Sequence, residues 1–175
     1  YLDLFVIVKR IENPNHGGSI HNYGIEWAEA HLGANIFNNY IVAMNNYGVH
    51  KEYSVDSTES KEVDFKDYNN DGNDDYFIDN VDTSAYIGHG YGDGITFETS
   101  ENDTVLTSSD AAGGDAWGNR DMEFQALMSC QVLKETHNGK NWAQRWGPVF
   151  NRLHLLCGFQ TNANVGEHKM LKYFA

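Results

Sequence analysis

Four short apolar runs constrain the fold of this chain more than anything else in it: residues 2–11 (LDLFVIVKRI), 83–87 (TSAYI), 122–128 (MEFQALM) and 152–159 (RLHLLCGF). Each is of strand length, and each is apolar at consecutive rather than alternate positions, as strands buried on both faces are. Between the first two, Trp27, Ala30, Ala34, Phe37, Ile41 and Met44 recur at intervals of three and four residues. That is the one-face spacing of an amphipathic helix, predicted over 25–47 with a possible break at Gly33. A shorter helix is expected over 142–150 and lesser strands over 49–55 and 95–98. Residues 12–23, with Pro14, Gly17 and Gly18, read as a loop, and 57–66 as a polar link. Strands alternating with helices argue for an α/β domain whose mainly parallel sheet is covered on both faces.

The 175 residues fit a single domain over 1–175, and 41% hydrophobic with 13% aromatic residues is too rich for a disordered chain. The formal net charge of −13 repels phosphate backbones and anionic lipid, so nucleic acid is a poor partner and cations are good ones. No apolar run approaches the roughly 20 residues of a membrane span. Cys130 and Cys157 are too few for a disulfide scaffold, and the histidines show no zinc-binding spacing. The chain opens on Tyr1, which leaves room for a removed leader; an extracellular or cell-surface, secreted setting is expected.

His89 follows the 83–87 strand within the small-residue turn Gly88-His89-Gly90, and Cys130 follows the 122–128 strand. Strand C-termini are where open α/β sheets hold their ligands. If those two strands are parallel neighbours, imidazole and thiol meet at one sheet edge as base and nucleophile. Two other readings stay open. Cys130 is then a small core residue beside a turn histidine, or it bridges to Cys157, which suits adjacent parallel strands poorly.

The segments Ala85-Tyr86-Ile87-Gly88-His89-Gly90 and Leu127-Met128-Ser129-Cys130-Gln131 resemble the two motifs of the caspase, legumain, gingipain and clostripain group of cysteine peptidases. In that group an apolar run precedes His-Gly and a second precedes the catalytic Cys. The resemblance extends over about residues 1–160. The flanking Ala116-Trp117-Gly118 and Leu155-Leu156-Cys157-Gly158-Phe159 are similar to uncharacterised bacterial and archaeal relatives. It implies a three-layer sandwich, a thiol-dependent endopeptidase acting on peptide or protein substrates, His89 and Cys130 as catalytic pair, and backbone N–H groups of Gly90 and Cys130 as oxyanion donors. Substrate-pocket candidates are Asp93, Asp115, Trp117 and Gln131, with Asp110 and Asp121 in neighbouring loops; an acidic pocket would select a basic side chain. Trp142 and Trp146 line either the cleft or the core. The same fold could instead serve as an inactive binding domain, or run the acyl-enzyme toward an amine as a transpeptidase or ligase.

The second informative stretch runs from Asp67 to Asp79, with oxygen-bearing side chains at alternate positions and Gly72 sixth. It resembles the D-x-[DN]-x-D-G loops of EF-hand and dockerin-like sites. The expected calcium ligands are Asp67, Asn69, Asp71, Asn73, Asp75 and Asp79, the last standing one residue beyond the usual closing position. The alternative is an exposed turn held by its own Asx side chains.

Overall fold

The computed structural model describes residues 4–8, 20–28, 34–99 and 103–163. Its strands are β1 (Leu4–Val8), β2 (Asn22–Trp27), β3 (His50–Val55), β4 (Thr83–Ile87), β5 (Gly90–Tyr91), β6 (Gly94–Thr96), β7 (Val105–Thr107), β8 (Phe124–Met128), β9 (Thr136–His137), β10 (Lys140–Asn141) and β11 (Leu155–Phe159). The α-helices are α1 (Ala34–Asn46), α2 (Ser108–Ala111) and α3 (Trp142–Trp146), and one-turn 3-10 segments punctuate residues 62–80.

Six strands form one sheet in the order β1-β11-β8-β4-β2-β3. All neighbours are parallel except the β1–β11 pair. At the centre lie β4, buried at all five positions, and β8. The edge strand β3 is largely exposed, as its sequence HKEYSV anticipates. The chain is therefore an α/β domain with a mostly parallel central sheet, as the apolar runs predict.

Side chains alternate across this sheet and build two cores. On one face Tyr23, Ile25, Ala85, Ile87 and Ala126 pack under Tyr40 and Met44 of α1, with the Tyr23 and Tyr40 rings edge to face at 5.6 Å. On the other, Tyr86, Leu127 and Leu156 meet an aromatic layer of Phe65, Phe97, Trp117 and Trp146. The indole N–H of Trp117 donates to the Phe65 carbonyl (2.9 Å), and that of Trp146 to Val132 (2.8 Å), which makes these rings affordable inside. Trp117 and Trp146 are thus core rather than cleft residues.

Three expectations need correction. The helix predicted over 25–47 starts later, because 22–27 is a core strand; Trp27 matches the helical period by coincidence, and tertiary pairing with β4 overrides it. The first apolar run is an antiparallel edge strand rather than a central one. The link over 57–66 contains a buried 3-10 turn, Glu62–Phe65, whose Phe65 is part of the core. The loop expected over 12–23 lies outside the described residues up to position 19, as do Ala30 and Gly33.

One buried polar cluster interrupts the aromatic layer. Glu26 on β2 is inaccessible; one oxygen accepts from Ser60 Oγ (2.7 Å) and the other has no partner. Burial first, and the nearby Asp64 charge second, push its carboxyl well above the ordinary 4.5, against the opposing Ser60 hydrogen bond. Because the folded form holds this proton more tightly than the unfolded chain, the stability involved is complete below about pH 4.5 and drains away as pH rises through the folded value. Glu26→Gln is therefore expected to flatten that decline and to make the protein more resistant to urea than the wild type at pH 8 but not at pH 4; denaturation curves at the two pH values check this.

Candidate active site

The β4–β8 ladder ends at the pair Ile87↔Met128. Beyond it each strand runs one residue further, Gly88 on one side and Ser129 on the other, to reach His89 and Cys130. The two predicted side chains thus leave neighbouring parallel strands at the same level. His89 is exposed and Cys130 partly so.

The backbone around them is firmly held. Tyr86, beneath the turn, donates its hydroxyl to the Thr96 carbonyl and, at 3.3 Å, to that of His89; the Thr96 N–H donates to the same His89 oxygen at 3.1 Å. Since His89 and Thr96 form a hydrogen-bonded pair, Gly90 and Ile95 form the alternate kind, in which the Gly90 N–H points away from β6. Gly90 lies against the other motif: a Cβ there would stand 2.6 Å from Ser129 Oγ and 3.0 Å from the Cys130 carbonyl oxygen. Only glycine permits this approach.

After β8 the chain turns sharply. Ser129 N–H donates to Leu127 O (2.9 Å), and Gln131, at φ 57°, donates to Thr161 O (2.8 Å). A left-handed conformation outside glycine costs roughly 1–2 kcal/mol and is retained here by that hydrogen bond and by Gln131 Nε2 donating to Asn162 Oδ1 (2.7 Å). Among the described residues no backbone carbonyl accepts from the Cys130 N–H, and the Cys130 sulfur lies 3.7 Å from the Ala163 carbonyl. Beside it, Gln131, Lys134, Gln160, Thr161 and Asn162 line an open depression of about 440 Å³.

The loops that follow the two motifs are tied together by a residue that the sequence does not single out. Arg145, buried on α3, donates to the carbonyls of Lys140 (2.7 Å) and Lys134 (2.5 Å), and its Nε lies 3.8 Å from Asp93. Asp93 also accepts from Ser108 Oγ (2.6 Å). It is therefore engaged in a structural clamp, and with Ser108, Lys140, Gln144 and Arg145 it also lines an open pocket of about 220 Å³. Trp117 is in the core, and Asp115 is exposed beside the Asn151 side chain, which donates to its carbonyl. Gln131, the fourth pocket candidate, follows Cys130 directly in the chain and lines the depression described above. Both cysteines are free, which removes the disulfide reading, and burial pushes the Cys157 thiol up to about 12.

In the acidic loop the six expected ligands have other partners or face solvent. Asp67 accepts from Asn69 N–H (2.7 Å); Asp75 pairs with Arg120 (2.7 Å); Asp79 accepts the N–H groups of Gly118, Arg120 and Met122. Asn69, Asp71 and Asn73 are exposed. Among the described residues no three His, Cys, Asp or Glu side chains converge as a metal site. Asp74, which the spacing skips, is fully buried; burial, followed by the charges of Asp79, Asp67 and Asp75, raises its carboxyl to about 7.

Fold and site together define an α/β domain with a histidine and a cysteine at adjacent strand ends. A family described as Domain of unknown function (DUF6345) matches residues 19–175, and the chain belongs to it. No curated protein matches the chain.

A thiol reagent is expected to modify Cys130 and leave Cys157 untouched at pH 8, with peptide mass mapping as the readout. Gly90→Ala, which drives a methyl into Ser129, is expected to slow labelling at Cys130 and cost about 1–3 kcal/mol of stability by denaturant melts.

Proposed function

We propose that this domain is a cysteine endopeptidase of the type that its two motifs resemble, with Cys130 as nucleophile and His89 as its proton partner. The observation that carries this is the alignment of His89 and Cys130 at the C-terminal ends of adjacent parallel strands, with Gly90 pressed on the Ser129–Cys130 backbone. The mostly parallel sheet and the helical cover on its two faces are consistent with the three-layer sandwich of the caspase, legumain, gingipain and clostripain group.

In this reading the Cys130 proton passes to the His89 imidazole, and the thiolate attacks the carbonyl carbon of a bound peptide. The carbonyl π pair moves onto oxygen, where the N–H groups of Gly90 and Cys130, neither committed to the neighbouring ladder, are the nearest backbone donors in the two motifs. Collapse breaks the C–N bond as His89 returns its proton to the leaving amine. A water then attacks the thioester, gives its proton to His89, and releases the acid and the thiol. The depression lined by Gln131, the residue after Cys130, is the nearest candidate for holding a substrate. It is lined by amides, a hydroxyl and one lysine, and so offers hydrogen bonds but no anion to a substrate side chain.

The test is labelling by a peptide-based thiol-directed probe followed by a peptide-library digest. Cys130→Ala is expected to abolish both, and His89→Ala to slow labelling by about 10²–10⁴-fold. Labelling that is indifferent to His89 would favour an inactive binding domain on the same scaffold, and capture of an added amine in the product would favour a ligase.

A further inference from the structure

We propose that the loop over residues 67–79 binds a calcium ion through Asp74, with Asp67 as the second carboxylate, rather than through the alternate-residue ligand set that its spacing suggests. This reading is independent of the chemistry at Cys130.

Asp74 has no accessible surface, and neither of its oxygens has a hydrogen-bonding partner beyond the amide of the adjacent Asp75. A buried carboxylate left this way is expensive unless a cation or a proton satisfies it. The nearby positive side chains are already engaged, Lys66 with Glu62 at 3.2 Å and Arg120 with Asp75 at 2.7 Å. Asp79 uses both oxygens for backbone amides and is a structural anion rather than a free ligand. Asp67 is 4% exposed and has one oxygen on the Asn69 amide, which leaves the other for an ion.

A second loop packs against Asp67. Gly114, at φ 64°, comes so near Asp67 that a Cβ would stand 2.2 Å from its Oδ1, and Asn70 donates to the Asp110 carbonyl at 3.0 Å. Among these described residues the donors are carboxylate, amide and carbonyl oxygens, the chemistry of a hard cation. Calcium takes roughly 6–8 oxygens in flexible geometry, so backbone carbonyls, side-chain amides and waters can complete a set that two carboxylates begin. Magnesium demands a stricter octahedron and holds its waters, which suits this irregular loop less well.

The experiment combines thermal melts in calcium or chelator with terbium luminescence, for which the exposed Tyr68 and Tyr76 are built-in sensitisers. Saturating calcium is expected to raise the Tm of the intact chain by about 5–10 °C and to displace terbium, with magnesium weaker. Asp74→Asn and Asp67→Asn should each remove both responses, whereas in chelator Asp74→Asn should melt no lower than the wild type because it deletes an unpartnered buried acid. A wild-type melt indifferent to calcium would overturn the proposal by leaving a proton as what satisfies Asp74. So would a full calcium response in Asp74→Asn. The wild-type titration decides the matter even if a variant fails to fold.

Discussion

The structure depends on the parallel register between β4 and β8. Pairing Thr83 with Phe124 and Ile87 with Met128 puts the ends of two fully separate sequence motifs at one level of the sheet. A slip of β8 by one residue against β4 would turn Leu127 from the aromatic core to the α1 face and send Ala126 the other way. The resulting exchange of large for small side chains would leave neither core packed. Register is thus fixed by volume on both faces, and the relation of His89 to Cys130 follows from it without any direct bond having to enforce it.

The bottom of the same two strands is held by acids. Asp82 precedes β4; its carboxylate accepts the N–H groups of His21 and Asn22 at the start of β2, and its own N–H donates to Asn22 Oδ1 at 2.8 Å. Its carbonyl accepts from Glu123 and Phe124, the residues that open β8. Asp79, three residues earlier, gathers the amides of the 118–122 turn that feeds β8. Two carboxylates therefore align three central strands from one end. A chain as acidic as this one uses part of its negative charge as backbone glue, where an anion surrounded by N–H donors is worth more than in water.

This division of labour explains what was legible in the sequence. Buried strands announce themselves by continuous apolar runs, so β4, β8 and β11 were readable nearly to the residue, and the positions of His89 and Cys130 came with them. The strand β2 was hidden because Gly24 and Glu26 make it look unlike a core strand. Gly24 is small to admit the Tyr53 ring, and Glu26 is buried among Ser60 and Asp64, facts of tertiary packing that no local pattern encodes. Arg145 was hidden for the same reason, since its partners are backbone carbonyls distributed over a loop. In the acidic loop, Arg120 holds Asp75 and the 118–122 amides hold Asp79, tertiary partners that alternation along the sequence does not encode.

The acidic loop and the cysteine lie at opposite ends of β4 and β8, about 16 Å apart for a five-residue strand. No side chain need pass between them for one to matter to the other. Asp79 sits inside the loop and at the entrance to β8, and Asp82 joins β2, β4 and β8 a few residues later. Whatever orders the loop restrains the point at which all three strands begin their pairing. Strands are stiff along their length, and both faces of these are packed to a single register, so a restraint at one end is felt at the other as loss of the freedom to fray rather than as a change of shape. Charge neutralised in the loop should therefore tell on how often the His89 and Cys130 turns open, and on melting, while leaving their geometry when closed as Gly90, Tyr86 and Gln131 dictate.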